Sequence, residues 1–146
     1  MIILDTDAVT FLEYQESVIS KRLRQRLAKL SAEHEIVTTV VTYDEQTRGW
    51  FAKFSKAADP ESVVAAYGDL LHHLETFKQI SVIGLTLAAE AKFRELRKQK
   101  IRVATRDLRI AAIALTVDAT LMTRNLQDFR QVPKLQIEDW TKPEDT

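Results

Sequence analysis

Short apolar runs alternate with longer segments in which apolar residues recur at helical spacing. Four of the runs are short and rich in aliphatic residues and therefore predict β-strands: Ile2 to Leu4, Ile36 to Val41, Ala119 to Met122 and Leu135 to Ile137. Strands that alternate with helices are typical of a parallel sheet covered by helices on its faces. We therefore expect an α/β fold.

Three segments between the predicted strands carry clear helix signals. Ile19, Leu23 and Leu27 share one face of a segment whose other face is basic, which predicts an amphipathic helix ending near His34. In Asp59-Pro60-Glu61, aspartate can cap free backbone N–H groups and proline suits a first helical turn, so a helix should begin there. Thr86 predicts the cap of another helix, which runs towards Lys98.

Composition favours one compact domain over residues 1–146. The chain has only three glycines and three prolines, with no repeat or linker-like stretch, and 146 residues suffice for a sizeable core. Cysteine is absent, which excludes a disulfide framework and a thiolate metal site. A metal ion would have to be bound by oxygen or imidazole.

Charge and hydropathy exclude two classes of protein. Lysine and arginine number 21, as do aspartate and glutamate, so the chain is not a polycation that coats nucleic acid. No apolar run approaches the ~18 residues that a membrane span needs. We expect a soluble cytoplasmic protein with no membrane partner.

Acidic residues follow the predicted strands at their carboxyl ends, where open parallel sheets bind ligands. Asp5 and Asp7 follow the first strand, and Asp128 comes shortly after the third. Asp44 and Glu45 follow the second strand, while Asp107 lies near the start of an apolar helix over residues 108–117. Acids from four segments are therefore expected to converge on one edge of the sheet.

Carboxylates that converge either repel one another or bind protons, unless a cation neutralises them. Mg²⁺ and Mn²⁺ prefer such hard oxygen ligands. Divalent ions of this kind hydrolyse phosphodiesters by activating water and stabilising the leaving oxygen. The acids thus predict a Mg²⁺ or Mn²⁺ site suited to phosphodiester hydrolysis.

Four stretches carry a family resemblance: "ILDTD", "VVTYDEQTRG", "RDLRIAAIAL" and "LMTRNLQDF". In this order and spacing the chain resembles a PIN domain, and more narrowly the VapC-like toxins of toxin–antitoxin pairs. The resemblance extends over essentially the whole chain. It implies a three-layer α/β/α sandwich, a Mg²⁺- or Mn²⁺-dependent endoribonuclease, an antitoxin partner and a homodimer.

The resemblance also assigns roles to individual residues. It makes Asp5, Glu45 and Asp107 the first three metal-binding and catalytic acids. Asp128 takes a carboxylate role, directly or through water, and Asn125 orients a phosphate or ligand. Which of Asn125 and Asp128 fills the fourth position stays open.

Several further residues are predicted to support the site. Hydroxyl groups that can orient the acids or contact substrate come from Thr6, Thr42 and Thr123. Arg106, Arg109 and Arg124 are the best candidates for binding RNA phosphates. They belong to, or follow, a basic stretch over residues 92–109 that is either an RNA track or a solvated helix face. Asp7 either caps a helix or reaches the metal through water.

Aromatic residues and histidines have ordinary structural interpretations. Trp50, Phe51 and Phe54 are predicted core residues, although the resemblance also allows them to line a groove for an antitoxin. The histidines lack the paired spacing of a zinc site, and we expect them at the surface or at an interface: His34, His72 and His73.

Two alternatives remain. "ILDTDAVT" also fits the D-x-D-x-[TV] signature of haloacid-dehalogenase-type phosphatases, with Asp5 as nucleophile and Asp7 as acid/base. Such enzymes need a downstream acidic motif, and here Gly68-Asp69 is followed by His73 at the place of the second acid. The other alternative is a PIN-like scaffold that binds RNA or a partner without cleaving it.

Overall fold

A computed structural model describes residues 1–13 and 17–143 of the chain. The strands are β1 (Ile2–Leu4), β2 (Ile36–Thr39), β3 (Ser81–Ile83), β4 (Thr120–Met122) and β5 (Gln136–Glu138). The helices are α1 (Thr6–Glu13), α2 (Val18–Leu30), α3 (Val40–Phe54), α4 (Pro60–Lys78), α5 (Leu87–Lys98), α6 (Thr105–Thr116) and α7 (Leu126–Phe129).

The five strands form one parallel sheet in the order β3-β2-β1-β4-β5. The first strand therefore lies at the centre, with Ile2 opposite Ile36 on one side and Thr120 on the other. Because β1, β2 and β4 are adjacent and parallel, the segments that follow them meet at one edge of the sheet.

Side chains from alternate strand positions enter two separate hydrophobic clusters. Ile3, Val37 and Leu121 pack with α5 and α6 on one face of the sheet. Ile2, Leu4 and Met122 pack with α1, α2 and Trp140 on the other face. The predicted three-layer α/β/α sandwich with a central parallel sheet is therefore confirmed.

The predicted helix starts at Asp59 and Thr86 are confirmed. Asp59 accepts a hydrogen bond from the Ser62 N–H at 2.8 Å, with Pro60 in the first turn of α4. Thr86 accepts one from the Ala89 N–H at 3.1 Å, and α5 ends at Lys98. These caps satisfy backbone donors that would otherwise be unpaired.

Several elements differ from the prediction, including β4 and β5, which each begin one residue later than predicted. The second strand ends at Thr39 and not at Val41, because the Thr39 hydroxyl caps α3 by accepting from the Thr42 N–H at 3.2 Å. The amphipathic helix α2 ends at Leu30, before His34. The edge strand β3 was not predicted, because two of its three residues are exposed and it lacks an apolar run.

Within residues 1–13 and 17–143, none of the helices has the length and apolar character needed to cross a lipid bilayer.

Candidate active site

Asp5 is the most buried acid at the carboxyl edge of the sheet, with only 6% of its surface exposed. It follows β1 and uses its two oxygens differently. Oδ1 accepts from the Ala8 N–H at 2.9 Å, which is the hydrogen bond of a helix N-cap. Oδ2 accepts from the Thr123 hydroxyl at 2.5 Å, which ties β1 to the segment after β4. Capping and a role in the site are therefore compatible.

Glu45 lies in the second turn of α3 and is oriented from α1. The Thr6 hydroxyl donates to Glu45 Oε2 at 3.0 Å. The hydroxyl oxygen of Thr42 lies 3.3 Å from that of Thr6, so Thr42 also contacts the group that donates to Glu45. The predicted orienting role of these threonines is consistent with this geometry.

Asp107 lies in the first turn of α6 and is partly buried. Burial raises the pKa of its carboxyl to about 6, and repulsion from Glu45, Asp128 and Asp7 adds to the increase. Acids from the four segments that were predicted to converge therefore interact electrostatically in the folded chain.

Asp5 experiences the same kind of environment. Burial raises the pKa of Asp5 to about 6, although the hydrogen bonds from Thr123 and Ala8 act to lower it. Repulsion from Asp7 and Asp107 adds to the increase. Ionisation of either Asp5 or Asp107 is thus costly without a cation.

Asn125 and Asp128 form one unit after β4. The Asn125 side-chain amide donates to Asp128 Oδ2 at 3.0 Å, and its backbone N–H donates to the Thr123 hydroxyl at 2.9 Å. Thr123 accepts from Asn125 while donating to Asp5, so it connects the first and fourth acidic segments. Both candidates for the fourth position thus lie together.

The site acids differ from their acidic neighbours in their partners. Within the described part of the chain, none of the four predicted site acids forms an ion pair: Asp5, Glu45, Asp107 and Asp128. The acids around them are neutralised. Asp7 pairs with Arg124 at 3.3 Å, Asp44 with Arg48 at 2.7 Å and Glu90 with Arg109 at 2.9 Å.

The donor set fits a hard divalent cation, because it consists of carboxylates that share repulsion and lack a counter-charge. In their present positions, no three His, Asp or Glu side chains among the described residues are arranged as a complete metal site.

The three predicted phosphate-binding arginines are engaged to different degrees. Arg109 makes three hydrogen bonds to Glu90, at 2.9 to 3.3 Å, and lies over the ring of Phe93. Arg124 contacts Asp7 and lies over the ring of Phe11. Arg106 has one long contact, with its Nε 3.6 Å from Asp44 Oδ2.

A cavity of about 660 Å³ lies beside Glu45 and Asp107. Val40, Val41 and Leu85 contribute apolar side chains, and Arg48 and Arg106 contribute positive charge. It is the space from which a bound chain could approach these two acids.

The predictions for aromatic residues and histidines were only partly correct. Trp50 is buried as predicted, whereas Phe51 is 58% exposed. The surface prediction was wrong for His73, which is 2% exposed and lies 3.2 Å from Glu13 through Nδ1. His73 Nε2 lies 3.1 Å from the Thr47 hydroxyl. The Glu13 carboxylate is 60 residues away in the sequence, so no local pattern indicates this pair.

Comparisons with known proteins agree with the resemblance, although no family model matches the chain. Ribonuclease VapC1 of Haemophilus influenzae (strain R2866) is 28% identical over 139 residues, which cover 95% of this chain and 97% of that protein.

Two solved structures extend this similarity to the fold. The structure of VapBC-1 from nontypeable Haemophilus influenzae gives a TM-score of 0.69 at 27% identity, over 97% of this chain and all of the matched one. The structure of VapBC2 from Rickettsia felis, bound to a DNA fragment from its promoter, gives a TM-score of 0.69 at 22% identity. The match covers 96% of this chain and 99% of the matched one. The predicted resemblance to VapC-like PIN proteins is confirmed over nearly the whole chain.

Proposed function

We propose that this relative of the VapC ribonucleases is an endoribonuclease that depends on Mg²⁺ or Mn²⁺ and acts as the toxin of a toxin–antitoxin pair. The observation that carries the proposal is the group of four acids without counter-ions at the carboxyl edge of the sheet. Similarity to VapC1 over 95% of the chain supports ribonuclease activity. It fits neither a phosphatase nor a scaffold without activity.

Asp5, Glu45 and Asp107 would hold the ion or ions, and Asp128 would complete the set directly or through water. Bound divalent ions in such sites activate water and stabilise the leaving oxygen of a phosphodiester. Hydrogen bonds within the chain orient two of these acids. Thr123 fixes one oxygen of Asp5, and Thr6 fixes one oxygen of Glu45, so the carboxylates keep their orientation.

Asn125 is held against Asp128 and Thr123, where its amide could orient a phosphate oxygen. Positive charge beside the acids comes from Arg106, whose contact with Asp44 is long. We propose that these residues bind the RNA strand next to the cleaved bond.

The proposed antitoxin would cover an exposed aromatic and aliphatic surface on α3 and α4. Val64, Tyr67 and Phe51 are 71%, 62% and 58% exposed, and Phe54 packs against Tyr67 with ring centroids 4.7 Å apart. Contiguous apolar patches of this kind are typical of protein interfaces. The VapBC assemblies with similar folds support an antitoxin partner. A homodimer and a cytoplasmic location stay predictions.

Cleavage of RNA with and without divalent ions tests the enzyme assignment. The chain should cut RNA in Mn²⁺ and lose this activity in EDTA. Asp107→Asn should reduce cleavage by about 10²-fold or more because it removes a proposed ligand. Asp69→Asn, on the exposed face of α4, is the matched control and should cleave like the unchanged chain.

Two results would overturn the proposal. One is RNA cleavage that persists in EDTA and in Asp107→Asn. The other is trapping of a phosphoryl group on Asp5 by a phosphate-ester substrate, since that covalent species belongs to the phosphatase alternative.

A further inference from the structure

Asp44 on α3 and Arg106 on α6 both line the 660 Å³ cavity, and they approach each other to 3.6 Å. Glu45 and Asp107, the next residues along each helix, line the same cavity. The Asp44–Arg106 contact therefore lies at the same cavity as these two acids.

The Asp44–Arg106 contact is weak by its geometry. Arg106 Nε lies 3.6 Å from Asp44 Oδ2, and the Asp44 and Arg106 side chains are 46% and 45% exposed. Exposed pairs of this type contribute little to stability because water and salt screen them. Breaking the contact therefore costs little.

Because of Arg48, Asp44 still has a cationic neighbour when Arg106 moves away. Arg48 donates from Nε to Asp44 Oδ1 at 2.7 Å, one helical turn along α3. The pKa of Asp44 lies below its ordinary value, chiefly because of this hydrogen bond, and Arg106 contributes less. Asp44 thus keeps its main partner when Arg106 moves away.

Arg109, one turn further along α6, provides the contrast. It is fixed by three hydrogen bonds to Glu90 and by the ring of Phe93, whose centroid is 4.4 Å away. Releasing Arg109 would break a bidentate pair that holds α6 against α5. Of these two arginines on α6, Arg106 is the one that can change partners easily.

We propose that Asp44 is a positioning residue that holds Arg106 beside the cavity until a phosphate of single-stranded RNA displaces it. The exchange is a competition between two anions for one guanidinium group, and no covalent bond changes. This inference rests on the proposed ribonuclease function and adds the residue that sets the strength of phosphate binding beside the site.

Binding of a fluorescent 2′-O-methyl RNA oligonucleotide of mixed sequence in EDTA tests the exchange. This probe resists cleavage, and binding at low salt does not require a preferred sequence. Titrations at several salt concentrations between about 50 and 200 mM give both the affinity and its salt dependence.

Arg106→Gln should weaken probe binding by about 5-fold and reduce the slope of log affinity against log salt by about 0.7, the value for one lost phosphate contact. Asp44→Asn should strengthen binding by about 3-fold because it removes the competing anion. Asp44→Asn also frees Arg48, which lines the same cavity, so the coupling is measured in an Arg48→Gln background. There the double variant should bind like Arg106→Gln alone, since Asp44 acts through Arg106.

The double variant separates this mechanism from simple removal of negative charge. If Asp44→Asn strengthens binding equally with and without Arg106 in the Arg48→Gln background, or if Arg106→Gln keeps the full salt slope, the inference is wrong. If the inference is wrong but the unchanged chain cleaves RNA in Mn²⁺, the proposed function is still supported. If the unchanged chain neither cleaves RNA nor binds the probe, both proposals are wrong.

Discussion

The two ends of α1 carry two buried acids that are stabilised in opposite ways. Asp5, before the first turn, is 6% exposed, and Glu13, in the last turn, is 5% exposed. Glu13 contacts the imidazole of His73, which also contacts Thr47. Asp5 receives only hydrogen bonds from neutral groups and faces other acids.

This difference is the one expected between a structural acid and an acid of the proposed site. The partner of the Glu13 carboxylate is the His73 imidazole, which belongs to the same chain. The ring of Tyr43 stacks on this imidazole with a centroid distance of 5.5 Å. At Asp5, hydrogen bonds from Ala8 and Thr123 fix the orientation of the carboxylate. Among the described residues, no cationic side chain pairs with it. A buried acid of the second kind indicates that its partner comes from outside the chain.

Asp5→Asn should give the largest effect and tests the functional half of the comparison. Ribonuclease activity should fall by about 10²-fold or more, because an amide is a poor replacement for a carboxylate ligand. Folding should survive, since asparagine can still accept from the Ala8 N–H. Cleavage assays and thermal unfolding of the same sample check both expectations. A variant that is inactive because it is unfolded would contradict the comparison.

Glu13→Ala tests the structural half. It leaves His73 buried without its partner, and the free energy of unfolding should fall by about 2–4 kcal/mol. Activity per folded molecule should change little. Urea unfolding gives the first quantity and cleavage at low temperature the second. Glu13→Gln keeps an acceptor for the imidazole, so its free energy of unfolding should fall by less. Equal losses in both variants would show that the hydrogen bond contributes nothing.

The pH dependence of stability should distinguish Asp5 from its neutral variant. The pKa of Asp5 is 3.8 in an unfolded chain and about 6 in the folded one, so the folded state binds more protons between these values. Its contribution to the free energy of unfolding therefore falls as pH rises through this window, by up to about 2–3 kcal/mol.

Urea unfolding in EDTA at pH values from about 4 to 7 measures this effect. Asp5→Asn should gain stability relative to the unchanged chain as pH rises. Adding Mn²⁺ should reverse the trend by stabilising the unchanged chain alone. A difference that stays constant with pH would show that Asp5 titrates normally.

Thr123→Val should give the smallest of these effects. It removes the hydroxyl that donates to Asp5 and that counteracts the increase in the Asp5 pKa. Activity should fall by about 10-fold, and the acidic limb of the pH–rate profile should move to higher pH. Thr123→Ser keeps the hydroxyl and should restore both. Loss of activity in the serine variant as well would assign the effect to packing of the methyl group.

Sequence patterns predicted the elements whose signals are local. The caps at Asp59 and Thr86 and the apolar runs of β1 and β4 depend on neighbouring residues, so they could be recognised directly. The order of the acidic motifs indicated the site because parallel strands align their carboxyl ends. Val40 and Val41 were misleading, since β-branched residues favour strands but here begin a helix that Thr39 caps.

Features that depend on distant contacts could not be predicted. The buried state of His73 depends on Glu13, and the immobilisation of Arg109 depends on the packing of α5 against α6. The strand β3 is defined by pairing of Val82 with Thr38, and its own residues are mostly exposed. In each case the partner is on another element, and a local pattern carries no information about it.

The central position of β1 also limits when the acidic edge can form during synthesis. Leu4 pairs with Met122, so the strand that carries Asp5 acquires its second neighbour more than a hundred residues after it has been made. Asp107 and Asp128 also lie in the last third of the chain, so they are translated late. A nascent chain on the ribosome, surrounded by RNA, therefore cannot assemble the acidic edge until translation has passed Asp128. Under the proposed function, long-range pairing delays RNA cleavage until nearly all of the fold has been synthesised.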